Sequence, residues 1–175
     1  MHEVRNTSTK LLVKAAKDLG LHVKVLSSNR SFIKVSSSRQ SMYIQATSVP
    51  LNNQVAARIA SNKFFTKKVL AEHDVPILKS WLVRKKSEAL KIVEKHQPFP
   101  LVLKPTQGSH GDDVYVNIEN IEELKPLLDR VLKGSPEDGC LIEKYFAGRD
   151  LRVSVVGDQA VAVLERIPAH VIGDG

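Results

Sequence analysis

Apolar positions along the chain follow two spacings. In residues 7–19 (TSTKLLVKAAKDL), Leu11, Leu12, Ala15, Ala16 and Leu19 recur at helical spacing, with Thr7 or Ser8 as cap and Gly20 as stop. Stretches 22–26, 32–35 and 42–46 then read as three short strands, with serine-rich turns between them. A short helix is predicted over 53–60. Asn62 caps a second one over 63–73, which ends before Asp74-Val75-Pro76. In that helix Phe64, Phe65, Val69 and Leu70 are expected to face a core, leaving Lys63, Lys67 and Lys68 on a solvated face. A strand over 77–83 and a helix capped by Ser87 and running through His96 follow. Next come a strand at Leu101, Val102 and Leu103, a strand over 114–118, and a helix capped by Asn120 that reaches about Lys133. Three apolar segments close the chain, 140–146, 151–156 and 160–166, and their close spacing predicts an antiparallel meander. The class is α/β (α+β): an N-terminal helix with short antiparallel strands, then a larger mixed part.

The stretch most suggestive of chemistry is 98–116, PFPLVLKPTQGSHGDDVYV. It places Lys104 at a strand end, then a loop with Gly108 and Gly111, then another strand. Glycines let backbone N–H groups approach an anion, and a lysine adds a point charge for phosphate oxygens. A Walker A order is absent, and a strand rather than a helix follows. Taken alone, the stretch favours the ordinary reading, a glycine-containing hairpin turn with a surface lysine.

Composition narrows the setting. A chain of 175 residues, 42% apolar, can bury a core as one domain or two lobes. No apolar run is long enough to span a bilayer, and the N-terminus carries no hydrophobic signal core. Cys140 is the only cysteine, which excludes an internal disulfide and a cysteine-rich zinc site; a cytoplasmic location is expected. Charge is uneven: residues 1–86 hold 16 Lys/Arg against 4 Asp/Glu, and residues 87–175 hold 10 against 15. A basic half can serve an anionic partner, but the chain has no arginine-rich run and little aromatic interleaving, so nucleic acid is not the expected partner.

Five motifs in order resemble the ATP-grasp ligases. Asn62-Lys63 followed by FFTKKVLAEHDVP resembles the helix opening that core, PLVLKP its second lysine strand and GSHGDDV its glycine-rich loop. LIEKYFAGRDLRV resembles the hinge strand. ERIPAHVIGDG resembles the branch with cyanophycin synthetase, bifunctional glutathione enzymes and acyl-amino-acid synthetases. The resemblance covers residues 62–175 firmly and 1–61 more loosely. It implies a substrate-side segment (1–61), a lid lobe (62–139), and a hinge with the start of a second lobe (140–175).

The activity implied is ATP-dependent joining of a carboxylate, in an amino acid or peptide, to an amine through an acyl phosphate. Lys63 and Lys104 would hold the ATP phosphates, with Gly108, Ser109, His110 and Gly111 closing over them. Glu143, Lys144, Tyr145 and Phe146 would line the adenine, and Asp150 would accept from the ribose hydroxyls. Arg152 and Arg166 would face the reacting phosphate or carboxylate, which a planar guanidinium suits. Each has an ordinary alternative: Glu143 and Lys144 as exposed strand charges, His110 and His170 as surface loop residues, Asp150 and Arg152 as an exposed pair on one strand face. Asp112-Asp113 stand where relatives often carry Arg-Gly, and carboxylates there would repel a nucleotide unless turned away.

The family's magnesium ligands are expected beyond Gly175, so no metal ligand is assigned here. The chain then reads as an incomplete, inactive piece whose last strands leave an edge favouring self-association. The competing expectation is a non-catalytic module that holds an anion or nucleic acid on its basic half.

Overall fold

A computed structural model describes residues 4–109, 111–167, 170 and 171. The chain divides into two units, residues 1–66 and 67–175. Among the described residues no helix is long and apolar enough to cross a membrane.

In the first unit, helix α1 (Thr7–Asp18) lies on an antiparallel sheet of β1 (His22–Ser27), β2 (Phe32–Ser36) and β3 (Ser41–Gln45), in that order. Val4, Ala16, Ile33, Val35 and Ile44 form its core, with Leu12 and Val13 packed against them. The expected stripe of α1 is therefore rotated: Leu11 and Leu19 are 63% and 77% exposed. The inward positions, Thr9 and Ala16 buried and Leu12 and Val13 partly buried, keep helical spacing. The pattern centres on a polar residue, fully buried because its hydroxyl donates to the Ala46 carbonyl at 3.0 Å. The cap is Asn6, not Thr7 or Ser8; its side chain accepts from the Thr9 N–H.

Helices α2 (Gln54–Ser61) and α3 (Lys63–Glu72) meet at Asn62. Its buried side chain accepts from the N–H groups of Phe64 and Phe65, as a helix cap should. The expected apolar core face of α3 is met only in part: Phe64, Val69 and Leu70 are partly buried, none is fully buried, and Phe65 is 52% exposed.

The second unit is built on a four-stranded antiparallel sheet, ordered β4 (Ser80–Val83), β7 (Cys140–Lys144), β5 (Leu101–Pro105), β6 (Tyr115–Ile118). Helices α4 (Lys86–His96) and α5 (Ile121–Gly134) cover one side. Val83, Ala89, Val93, Leu101, Leu103, Ile118, Leu124, Leu128, Val131, Cys140 and Ile142 make this core. Asn120 caps α5 as expected. In place of Ser87, α4 is headed by Lys85, and Glu88 accepts from the backbone N–H groups of Arg84 and Lys85. The bond from Arg84 holds the Glu88 carboxyl below its ordinary range.

Two expectations fail here. The strand over 77–83 is shorter: Ile77 and Leu78 are 40% and 42% exposed and outside β4. The meander is not formed. Segment 140–144 enters the sheet between β4 and β5, where its entirely buried apolar side chains find a covered face. Only β8 (Asp150–Val156) and β9 (Gln159–Arg166) pair with each other, as a separate two-stranded ribbon exposed along its length.

Burial pushes the Cys140 thiol up to about 12. A thiol-specific reagent at pH 8 should therefore leave Cys140 unlabelled in the folded protein and label it fully in denaturant. Labelling at the same rate in both states would contradict this burial. Above the ordinary thiol range only the unfolded chain ionises, so stability should decline as pH rises towards 12.

Candidate functional site

Side chains on β5 and β7 alternate between the helix-covered side and the opposite side of the sheet. Leu101 and Leu103 go to the core, which sends Val102 and Lys104 the other way. Cys140 and Ile142 go to the core, which sends Leu141 and Glu143 the other way. Register places Glu143 between Ser80 and Val102, with Leu141 beside Lys104. Lys104 thus stands diagonally across from Glu143 on the face turned away from α4 and α5.

Glu143 is 3% exposed, so it is not the surface strand charge that its position near a chain turn allowed. Two ammonium groups meet it. Lys104 Nζ reaches Oε2, and Lys67 Nζ from α3 lies 2.9 Å from Oε1. The Lys67 contact is an ion pair with a buried carboxylate oxygen. Lys67 donates to the Leu78 carbonyl at 3.0 Å. Lys67 was expected on a solvated helix face; its side chain is 17% exposed. The available clue was its place four residues after Lys63, which puts the two lysines on one side of a helix.

The glycine loop leaves the end of β5 directly. Gly108 and Gly111 have φ of +104° and +86°, values that suit glycine far better than residues with a Cβ. Asp112 N–H donates to the Ser109 carbonyl and Val114 N–H to the Gly111 carbonyl, giving tight consecutive turns. Gln107 is tied to Asp138 at 2.9 Å, and Thr106 is buried against the Gly139 carbonyl. His110 lies outside the described residues. Asp112 and Asp113 both line a groove with Gly108, Glu137 and Asp138, and Asp113 is in addition paired with Arg130 at 3.2 Å and accepts from the Tyr115 hydroxyl.

After Glu143 the chain leaves the sheet. Lys144 and Phe146 are exposed, Tyr145 is partly buried, and Tyr145 N–H donates to the Pro100 carbonyl at 2.9 Å. Asp150 and Arg166 face each other in register at the open end of the ribbon, 3.5 Å apart and both well exposed. Beside them, and not anticipated from sequence, Arg149 grips Glu165 with two bonds of 2.9 and 2.8 Å. That grip holds the Glu165 carboxyl below its ordinary range. Arg152 sits opposite Leu164 further along. Lys63 is partly buried in the first turn of α3, and Ser109 is exposed. Of the closing motif, Pro168, Ala169 and residues 172–175 lie outside the described residues; His170 is exposed. Among the described residues no three His, Cys, Asp or Glu side chains converge on a metal site.

The family model for the RimK-like ATP-grasp domain matches residues 60–170. Cyanophycin synthetase of Trichormus variabilis is 32% identical over 168 residues, covering 96% of this chain and 18% of that protein. The glutathione biosynthesis bifunctional protein of Listeria monocytogenes is 29% identical over 171 residues, covering 96% and 22%. The chain therefore spans about a fifth of the length of these curated relatives. Among solved structures, a bifunctional glutathione synthetase from Pasteurella multocida superposes with a TM-score of 0.60 at 23% identity, over 93% of this chain and 22% of that one. D-alanyl-alanine synthetase A from Vibrio cholerae gives 0.56 at 10% identity, over 97% and 70%. These two likenesses speak to the fold, and the family match spans more than half of the sequence. The chain belongs to the RimK-like ATP-grasp family.

Proposed function

We propose that this chain carries the nucleotide-holding part of an ATP-dependent ligase that joins a carboxylate to an amine through an acyl phosphate. The observation that carries it is the convergence of Lys67 and Lys104 on the buried Glu143, on the side of the sheet away from α4 and α5 and next to the glycine loop that follows β5. Two cations around one carboxylate leave a net positive site, and a triphosphate requires such a site.

In this proposal Lys104 and Lys63 hold the phosphates, and the backbone N–H groups of the loop at Gly108, Ser109 and Gly111 cover them, with His110 in the same loop. Glu143 and the backbone of Lys144, Tyr145 and Phe146 meet the adenine. Asp150 accepts from the ribose, which requires it to give up Arg166; Arg166 and Arg152 then serve the reacting phosphate or carboxylate. With Asp113 engaged by Arg130 and Tyr115, only Asp112 of that pair is left to repel phosphate. Magnesium would neutralise phosphate charge in the reaction, with ligands from outside the described residues. The carboxylate is an amino acid or peptide, by analogy with the relatives' names. The likenesses give no support to a polyanion-binding module.

The test is calorimetric titration of ATP into the full-length protein at low and high salt. Saturable binding that survives salt is expected, with ADP released only when both a carboxylate and an amine are supplied. A folded full-length protein that takes up no ATP would overturn the proposal, and affinity collapsing with salt would instead favour a polyanion module.

A further inference from the structure

A buried carboxylate needs a counter-charge, and Glu143 has two. The two lysines are not held alike. Lys67 is anchored a second time, by its hydrogen bond to the Leu78 carbonyl, and comes from a helix. Lys104 sits on the strand that leads into the glycine loop, and its ammonium pairs with Glu143. An anion arriving over that loop can therefore draw Lys104 away only if Glu143 is not stranded in a dry site. Stripping a buried carboxylate of its last cation costs several kcal/mol, which would be subtracted from the binding of the anion.

Taking the nucleotide site proposed above as given, we infer that Lys67 is a positioning residue. It keeps the Glu143 charge compensated while Lys104 transfers from the carboxylate to the nucleotide phosphate. Lys67 itself stays on Glu143 and Leu78 throughout. It contributes to affinity without touching the phosphate, by making Lys104 available. With Lys67 removed, Glu143 and the phosphate compete for one ammonium.

The experiment is calorimetric titration of ATP into the full-length protein as wild type, Lys67→Met, Lys67→Arg, Glu143→Gln and Lys67→Met/Glu143→Gln, each with a thermal melt. Lys67→Met should weaken ATP at least about tenfold, and Lys67→Arg should stay within about threefold of wild type, because the retained charge is what matters. In the Glu143→Gln background, Lys67→Met should change affinity by less than about threefold, since no buried charge is left to compensate. A role limited to tethering α3 to Leu78 predicts the opposite, a loss that persists in that background. Lys67→Met binding as tightly as a wild type that does bind ATP would overturn the inference and leave the nucleotide site standing. A folded wild type that binds no ATP would remove both. If Lys67→Met does not fold, the two Glu143→Gln proteins still decide, and a loss above about threefold between them rejects the inference.

Discussion

Gly139→Ala is expected to destabilise the second unit by about 3 kcal/mol, from backbone strain plus overpacking. Gly139 stands immediately before β7 with φ of +75°, a left-handed conformation that costs an alanine about 1 kcal/mol. The added methyl would lie 2.4 Å from the Val83 carbonyl oxygen and 3.2 Å from its carbon. Neither can retreat: Val83 is fully buried and paired in register with Cys140. Gly139 is also fixed from both sides, its N–H donating to the Ser135 carbonyl and its carbonyl accepting from Thr106 N–H. Melting followed by the fluorescence of Trp81, the only tryptophan, should fall by roughly 15 °C. Gly157→Ala is the control. Its φ is +65°, but its methyl would meet open space, so it should cost only about 1 kcal/mol. Equal costs at the two glycines would mean that the collision with Val83 is absent.

Lys104→Met should have the largest functional effect, lowering ATP-dependent ligation by the full-length protein by about 10² to 10³, as losing one charge-stabilising donor does elsewhere. Its cost in stability should be small. Glu143 keeps Lys67 after the change, and the methionine stem packs beside Leu141 as the lysine stem does. The pairing of these outcomes is diagnostic. A melt within a few degrees of wild type with ligation reduced a hundredfold assigns Lys104 to chemistry. Unchanged ligation would remove it from the phosphate site. Loss of both together would make it a structural lysine.

Much of this architecture was readable before any coordinates. Asn53, Asn62 and Asn120 cap helices because a short amide accepts from N–H groups two or three residues on, and that signal is local. The hairpin of β5 and β6 around the glycine loop was likewise written in adjacent residues. Long-range effects were not. Nothing near residues 140–144 reveals that they insert between β4 and β5 rather than pairing with the next strand, because pairing partners about 40 and about 60 residues away leave no local trace. Thr9 hid the inner face of α1 because a hydroxyl can be buried when a distant carbonyl accepts its hydrogen. Lys67 hid for the same reason in reverse. A lysine at helical spacing on a polar face reads as solvated until the partner carboxylate, 76 positions later, is known to be buried. Lys104 and its loop could be singled out because their motif is contiguous; the carboxylate's second cation could not, because that grouping exists only in three dimensions.

Strand β5 has odd-numbered side chains, Leu101 and Leu103, embedded among helices, and an even-numbered lysine on the reverse side. Gaining or losing a single codon inside this strand would exchange the two sets, forcing an ammonium into hydrocarbon and leucines out of it. Divergence within the family can therefore proceed here by substitution but hardly by changes in length. The turn from Gly108 to Gly111 is bound by no such parity and is where length variation should accumulate.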